Sequence, residues 1–359
     1  MTDQSAPTKT ISDFEAKLDK ADKAVAQFAA DDRTPIAVVR QFLRRNPTAI
    51  PALVLLFSVL MFGLVADNFL KVSTLSLVLQ QVTVVGVIAI AQTAIILTAG
   101  IDLSVGAILV LSSFVIGKLA VYAGVPAPLA ILVGMGAGAA MGAINGLLVT
   151  VVRLPPFIVT LGTLNVFNAL KLWFTGSESI RADDISAKAN FLNLFGNEFQ
   201  LFGARFTFGA LAMIMLALFA WYLLNRTPWG RHVHAVGDDP DAALLSGIQV
   251  NRTLLSVYAF AGLVCGFGAW IAIGRVGSIS PIGFETANLD SITATVIGGT
   301  SLFGGRASIA GSVLGALIVG TFNTGLALAG VDDYWQIFAT GVLTIVAVAI
   351  DQWLRRASQ

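Results

Sequence analysis

Asn225–Arg252, NRTPWGRHVHAVGDDPDAALLSGIQVNR, is a polar stretch in an otherwise apolar sequence, and long apolar segments flank it on both sides. Within it, Asp238 or Asp239 can cap a short helix. Pro240 suits the first helical position, and Gly247 can end the helix. These signals predict a small helix outside the bilayer. In a membrane protein, such a helix is typical of a docking element for a soluble partner.

The composition of the chain is that of a membrane protein. Of its 359 residues, 56% are hydrophobic and 12% are charged, and the mean hydropathy is +0.81. A soluble domain carries about 25% charged residues, and a bilayer core of about 30 Å needs about 20 apolar residues per helix. The sequence therefore predicts an all-α integral membrane protein. The single cysteine, Cys265, argues against a disulfide framework or a cysteine-based metal site, and we expect no metal.

Ten apolar segments predict about ten transmembrane helices. The eighth is short and rich in glycine, so we expect a broken or re-entrant segment whose backbone is covered by protein. Most Lys and Arg residues near the segment ends fall on the side of the docking loop, residues 225–252. This bias predicts that the loop and both termini are cytoplasmic. The segments are Thr48–Val65, Leu75–Leu97, Leu103–Tyr122, Leu129–Val151, Pro155–Phe174, Phe206–Leu224, Leu254–Gly274, Leu289–Leu302, Ile309–Ala329 and Trp335–Leu354.

Two regions are predicted: a polar cytoplasmic N-terminal region, residues 1–46, and a transmembrane domain, residues 47–359. Apolar residues from Ile11 to Phe28 recur at steps of three and four, which predicts an amphipathic helix. This helix could lie on the membrane or on the protein itself, and contact with a partner subunit is the alternative. We expect no cleavable signal peptide, because the first 45 residues are polar and charged.

Glycine recurs every four residues along one face of the fourth span, at Gly134, Gly138, Gly142 and Gly146. In membranes, such a stripe lets helix backbones approach closely, so the predicted role is helix packing. A second glycine-rich run, Gly298–Gly305, lacks the Lys-Ser/Thr of a phosphate-binding loop. We therefore expect no nucleotide site in this chain and no catalytic residues.

Polar side chains within the spans are mostly neutral amides. Such groups face a bundle interior or a pathway, so they serve either interhelical hydrogen bonds or an uncharged polar cargo. Asp102, at a turn between two spans, could cap the third span or take part in gating. His232 and His234 lie in the docking loop, so no carboxylate–histidine relay for proton coupling is predicted inside the membrane. The candidate pathway residues are Asn145, Asn165, Asn168, Asp290 and Asn323.

The docking loop resembles the cytoplasmic loop of bacterial ABC-type sugar import permeases of the ribose/xylose/fructose group. Leu289–Gly311 resembles the family's Gly-Gly-Thr-Ser-Leu-x-Gly-Gly signature, and Gly100–Ala107 is a third match. The chain is most similar to fructose-type members from alpha-proteobacteria. Asp239 stands where the family has asparagine, and Asp241 where glutamate is common. The residues that the resemblance assigns to an ATPase-coupling helix are Gly237, Asp239, Asp241, Ala242, Ala243, Ser246 and Gly247.

The resemblance implies a permease subunit in the bacterial inner membrane, not an enzyme, that brings a monosaccharide into the cytoplasm. Fructose is the first expectation, and ribose or mannose comes next. The implied partners are an ATPase subunit on the short helix, a periplasmic sugar-binding protein, a second permease copy and membrane lipid, but no nucleic acid. ATP and Mg would be bound by the ATPase, and no cofactor by this chain. The alternatives are xylose, galactose, a branched amino acid or a nucleoside as cargo, an ion-coupled secondary transporter, or a passive channel.

Overall fold

The computed structural model describes residues 48–201 and 204–356, and α-helices dominate this part of the chain. The predicted helical class is confirmed, with the addition of one two-stranded hairpin. The predicted N-terminal region, residues 1–46, and its amphipathic helix lie outside the described residues.

A helix occupies at least part of each of the ten predicted apolar segments, and short helices lie between some of them. The third long helix continues as a π-helical turn, Lys118–Tyr122. In chain order the described helices are α1 (Ala49–Val65), α2 (Val72–Leu97), α3 (Val105–Gly117), α4 (Ala127–Thr150), α5 (Pro156–Thr175), α6 (Ala182–Lys188), α7 (Phe208–Arg226), α8 (Pro228–Asp238), α9 (Pro240–Leu245), α10 (Val250–Val276), α11 (Ala287–Ile297), α12 (Ile309–Leu328) and α13 (Asp333–Arg356).

Seven of the described helices are long and apolar enough to cross a membrane: α2, α3 with its π-helical turn, α4, α5, α7, α10 and α12. The chain is thus a polytopic membrane protein. α11 has 11 residues, so it rises only about 16 Å, roughly half of a bilayer core of about 30 Å. The total of ten crossings stays a prediction.

Local signals set where these helices begin and end. Thr207 caps α7, because its hydroxyl accepts a hydrogen bond from the backbone N–H of Ala210 at 3.3 Å. α5 and α10 end at Gly176 and Gly277, whose φ angles are +63° and +73°. This left-handed conformation favours glycine and satisfies the last carbonyls of a helix.

The stripe glycines of α4 lie where this helix meets its neighbours. Three of them face α10, and the fourth faces α3. The two helix backbones touch directly, which leaves no room for a side chain at the contact. A Cβ atom built on each glycine would lie 2.4 Å from the Gly262 oxygen for Gly138, 2.2 Å from the Tyr258 oxygen for Gly142, 3.0 Å from Leu255 Cα for Gly146, and 2.2 Å from Ile116 Cγ1 for Gly134.

A small folded cap separates α5 from α7. It consists of α6, a 3-10 helix (Asn190–Gly196) and two antiparallel strands, β1 (Glu198–Leu201) and β2 (Ala204–Thr207). A Cβ atom on Gly196 would lie 1.9 Å from the Gly274 oxygen, so the cap rests directly on α10. No strand is predicted between the fifth and sixth apolar segments, so the hairpin is an addition to the predicted fold.

Candidate coupling loop and polar cavity

The docking loop contains two helices, not the single one predicted. α8 follows Thr227, whose hydroxyl accepts a hydrogen bond from the Gly230 N–H at 3.2 Å. Val233 and Val236 on its inner face are 0% and 1% exposed, so α8 is packed onto the bundle. The pair Thr227–Pro228 repeats the combination of a cap and a proline that marks α9. That pair was the signal by which α8 could have been found.

α9 begins and ends at the predicted signals. Of the two candidate caps, Asp239 is the one used: its Oδ1 accepts hydrogen bonds from the N–H groups of Asp241 at 2.9 Å and Ala242 at 3.0 Å. The helix runs over Pro240–Leu245, with proline in its first turn. Gly247, with φ of +83°, reverses the chain after it. The loop therefore holds a short, locally determined helix.

The outer face of α9 is apolar. Leu244 is 61% exposed and Leu245 is 90% exposed, and we call these two residues the docking pair. Asp241 and Ser246 are also exposed, whereas Ala243 is 3% exposed and faces its own protein. The two adjacent leucines, with polar residues beside them, form a small apolar surface on a polar loop. The docking pair is therefore the part of α9 that can contact another molecule.

Two of the three stretches that carry the family resemblance meet at the end of α2, directly before the third stretch begins at Gly100. The Gly305 N–H donates a hydrogen bond to the Leu97 carbonyl at 3.1 Å. A Cβ atom on Gly237 would lie 2.0 Å from the same Leu97 oxygen, and one on Gly304 would lie 2.6 Å from the Gly237 oxygen. These contacts join the docking loop to the end of α2 and to the loop after α11. The resulting loop junction comprises residues 97–104, 234–239 and 298–306.

His234 lies half-buried in the loop junction. Burial lowers the pKa of its imidazole, while a hydrogen bond to the Gly305 backbone acts in the opposite direction and is the smaller effect. Since the ordinary pKa of histidine is about 6.5, the imidazole is neutral at pH 7. His234 therefore adds a hydrogen bond to the junction without adding charge.

A buried polar network holds the turn between α2 and α3. Asp102, 1% exposed, accepts hydrogen bonds on Oδ1 from the Ser104 N–H at 2.7 Å and the Ser104 hydroxyl at 2.6 Å. Its Oδ2 accepts one from the Asn145 amide at 3.1 Å. The Thr160 hydroxyl donates to the neighbouring Ile101 carbonyl at 2.9 Å. Asp102 thus binds the residue before α3, not the first turn of that helix, and ties the turn to α4.

A polar cavity of about 170 Å³ lies between α2, α10, α11 and α12. Four polar side chains line it, one from each helix: Gln81, Arg275, Asp290 and Asn323. The remaining wall is apolar. Its residues are Val82, Val85, Ala316, Val319 and Gly320.

The structure places the five candidate pathway residues in three locations. Asp290 and Asn323 line the polar cavity. Asn165 and Asn168 lie on α5, where the exposed Asn165 amide donates only to the Leu161 carbonyl of its own helix, at 3.0 Å. Asn145 is fully buried beside Asp102. Two other cavity residues, Gln81 and Arg275, were not among the predicted candidates. Arg275 could have been noticed in the sequence, because it follows the seventh apolar segment on the side opposite the docking loop, where Lys and Arg are few.

Comparisons with known proteins identify relatives over most or all of the chain. Residues 74–347 match the family described as "Branched-chain amino acid transport system / permease component". The chain is 48% identical over 359 residues to the fructose import permease protein FrcC of Rhizobium meliloti, covering 100% of both chains. It is 40% identical over 306 residues to the ribose import permease protein RbsC of Bacillus subtilis (strain 168), covering 84% of this chain and 92% of the relative. It is 34% identical over 300 residues to the galactose/methyl galactoside import permease protein MglC of Escherichia coli (strain K12), covering 79% and 88%. No solved structure matches the chain.

In the described part of the chain, a bundle of seven membrane-length helices defines a polytopic membrane protein, and the docking pair is an exposed apolar surface on its polar loop. The family match covers most of the length of this bundle. The chain belongs to this family of import permease components.

Proposed function

We propose that this chain is the translocating permease subunit of a binding-protein-dependent ABC importer for a monosaccharide, with fructose as its cargo. The full-length similarity to a fructose import permease, at 48% identity, is the observation that carries the proposal. Similarity to ribose and galactose permeases supports the sugar class more broadly. Mannose is a further candidate cargo, and another small solute is the second candidate class of cargo.

The docking pair supports an assembly in which one subunit hydrolyses ATP and this chain transports the cargo. In this proposal, α9 is the coupling helix, and a cytoplasmic ATPase subunit binds Leu244 and Leu245. The same ATPase binds ATP and Mg, so the permease needs no cofactor and no ATP site of its own. A periplasmic sugar-binding protein delivers the cargo, and a second permease copy completes the membrane portion. When ATP binding closes the ATPase subunits, rigid movement of this short helix can transmit that movement to the transmembrane helices.

The topology proposed for this function has ten membrane segments in a bacterial inner membrane, with both termini in the cytoplasm. The length of α11, 11 residues, supports its assignment as a segment that enters the membrane without crossing it alone. The backbone of α11 is covered by α12: a Cβ atom on Gly315 would lie 1.8 Å from the Ala294 oxygen. A segment that enters the membrane without crossing it has backbone groups outside regular helix, and these groups must be covered by protein and not by lipid.

The proposed pathway runs past the polar cavity, where Asp290 and Asn323 meet Gln81 and Arg275. The α4 glycine stripe has a packing role in this proposal, because Gly138 and Gly142 touch α10 backbone. Asn145 serves the Asp102 network in place of the pathway. Asn165 and Asn168 remain candidates for a contact with the second permease copy, since a polar amide facing lipid is unfavourable.

Replacing Leu245 with aspartate tests the coupling helix. We expect uptake to fall at least tenfold while membrane insertion stays normal, because a charged carboxylate would be buried unpaired against the ATPase. At 90% exposure, Leu245 has little role in folding the permease itself. The measurements are radiolabelled sugar uptake and co-purification of the ATPase at matched permease abundance.

Two variants serve as controls for the Leu245→Asp substitution. Leu245→Met keeps the face apolar and should retain uptake. Gln249→Asp places the same charge on an exposed residue beyond α9 and should also retain ATPase binding. Normal uptake by Leu245→Asp at wild-type abundance would refute the assignment of α9.

Reconstitution tests the proposed class and cargo. The purified permease alone in vesicles should accumulate no sugar against a gradient, whereas the permease with ATPase and binding protein should accumulate fructose when ATP is supplied. Uphill accumulation by the permease alone would overturn the ABC assignment. A preference for ribose or galactose over fructose would overturn the cargo and leave the class intact.

A further inference from the structure

The polar cavity brings charged and neutral polar side chains together against an apolar wall. It holds one cation, Arg275, one carboxylate, Asp290, and two amides, Gln81 and Asn323. Arg275 is exposed and Asp290 is half-buried, and charged groups in the helices of a membrane protein generally mark a partner or a pathway. Among the described residues, neither Arg275 nor Asp290 forms an ion pair. Both therefore face the cavity with unused hydrogen-bonding capacity.

The existing hydrogen bonds leave specific atoms free. Asp290 Oδ2 accepts a hydrogen bond from the Thr286 hydroxyl at 3.1 Å, which leaves Oδ1 available. The Gln81 carbonyl oxygen accepts from the Thr324 hydroxyl at 2.8 Å, and the Asn323 carbonyl oxygen accepts from the Thr340 hydroxyl at 3.1 Å. In each case a threonine fixes the polar group, and the remaining donors and acceptors can point elsewhere. The side chains are thus oriented by their own protein before any ligand arrives.

The chemistry of the lining selects the class of ligand. One positive and one negative group sum to no net charge, which suits a neutral molecule. A carboxylate accepts hydrogen bonds from hydroxyl groups, a guanidinium donates them, and amides can do both. Val82, Val85 and Val319 supply an apolar wall for C–H groups. A polyol with an apolar face, such as a monosaccharide, matches both surfaces.

The position of the cavity fits a point where cargo enters the transmembrane bundle. Arg275 lies in the last turn of α10, and Asn323 lies in the last third of α12. α9 and the loop junction lie at the opposite ends of these two helices, near their start. The cavity is therefore in the half of the bundle away from the docking pair, on the side where a periplasmic partner would release cargo.

We propose that this cavity is a sugar-contact site, in which Asp290 accepts hydrogen bonds from sugar hydroxyls and Arg275 donates to them. This inference rests on the proposed function of sugar import, and it adds Gln81 and Arg275 as residues that determine specificity. A zwitterionic amino acid is the competing ligand, because its carboxylate would pair with Arg275 and its ammonium group with Asp290. The two ligand classes give different results in the following experiment.

The test uses cysteine protection in the complete importer of permease, ATPase and binding protein. The chain has one cysteine, Cys265, which is buried, so Cys265→Ser provides a permease without thiols, and labelling is measured on the isolated permease band. In that background, Asn323→Cys places a thiol in the cavity for labelling by a methanethiosulfonate reagent. We expect excess fructose to slow labelling at least fivefold and leucine to leave it unchanged. Asp332→Cys, on an exposed loop, is the matched control and should show no protection.

Substitutions of the charged pair give a second measurement. Asp290→Asn keeps the shape and an acceptor for Thr286, and Arg275→Gln keeps a donor. We expect each to reduce the fructose transported per ATP at least tenfold, and to leave the affinity of the binding protein for fructose unchanged. If either variant fails to fold, the cysteine protection stands by itself.

The outcomes separate this site from the proposed function. If the importer transports fructose but shows neither protection nor sensitivity to the two substitutions, the site is refuted and the sugar importer stands. Protection by leucine in place of fructose also refutes the site. If the importer transports no sugar at all, both the proposed function and this inference fail.

Discussion

Replacing Asp102 with alanine is expected to destabilise the permease by several kcal/mol. The substitution removes the acceptor for the Ser104 N–H and the Ser104 hydroxyl. It also removes one of the two acceptors of the Asn145 amide, which donates to the Ser104 hydroxyl oxygen at 2.8 Å as well, and all of these groups are buried. Each buried donor left without a partner costs about 1–3 kcal/mol. The measurements are the yield of monodisperse permease in detergent and its midpoint of thermal unfolding.

A double substitution distinguishes the network from a general effect at this position. In Asp102→Asn, the remaining carbonyl oxygen can accept from Ser104, and the new NH₂ group then faces the NH₂ group of Asn145. Two donors oppose each other, so the unfolding temperature should fall. Adding Asn145→Asp restores an acceptor opposite a donor, and we expect it to recover at least half of the lost unfolding temperature. Asp332→Ala, which removes an exposed carboxylate bonded to the Tyr334 hydroxyl at 2.7 Å, is the control and should change little. Failure of the double substitution to recover stability would contradict the assigned pairing.

The Asp102 network also bears on coupling. The turn that it holds begins at Leu97 and Ala99, which contact Gly237 and Gly304 of the loop junction. A loosened turn would give α9 a less rigid support. Any folded fraction of Asp102→Ala should therefore transport less sugar per ATP than the wild type.

Local signals explain why much of the docking loop was predictable. Asp239, Pro240 and Gly247 act within a few residues of one another, so their effect is visible in the sequence without knowledge of the rest of the fold. α8 was missed although Thr227 and Pro228 carry the same kind of signal. Its stability depends on burying one face against the bundle, and the sequence does not state which surface covers it. The hairpin β1–β2 was missed for a related reason, because its strands have only four residues each.

The candidate site could be predicted only in part, because its contacts are not local. The sequence marks Asn145, Asp290 and Asn323 as polar groups within apolar segments, but it does not say which of them meet. Asn145 is 43 positions from Asp102, its partner. The polar cavity joins four helices from different parts of the chain. Such pairings follow from the arrangement of helices, so Gln81 and Arg275 could be recognised as cavity residues only from the structure.

The second large effect is expected at the α4–α10 contact, where valine in place of Gly142 should prevent normal folding. A Cβ atom at this position would lie 2.2 Å from the Tyr258 oxygen, which belongs to backbone and cannot rotate away. The reciprocal contact is as close, since a Cβ atom on Gly262 would lie 2.1 Å from the Gly138 oxygen. The helices would have to separate, and overpacking of this kind costs about 1–3 kcal/mol or more. In lipid, close packing is itself a main source of helix association.

Gly136→Val is the matched control for Gly142→Val. Gly136 lies on the same helix, and no atom of a neighbouring element lies within 4 Å of a Cβ built on it. Valine affects the intrinsic stability of α4 in a similar way at both positions, so a difference between the two variants reports on the contact with α10. We expect Gly142→Val to lose most of its monodisperse yield and to unfold at a lower temperature than Gly136→Val, measured in the same detergent. Equal behaviour of the two variants would mean that α4 and α10 do not meet along this face.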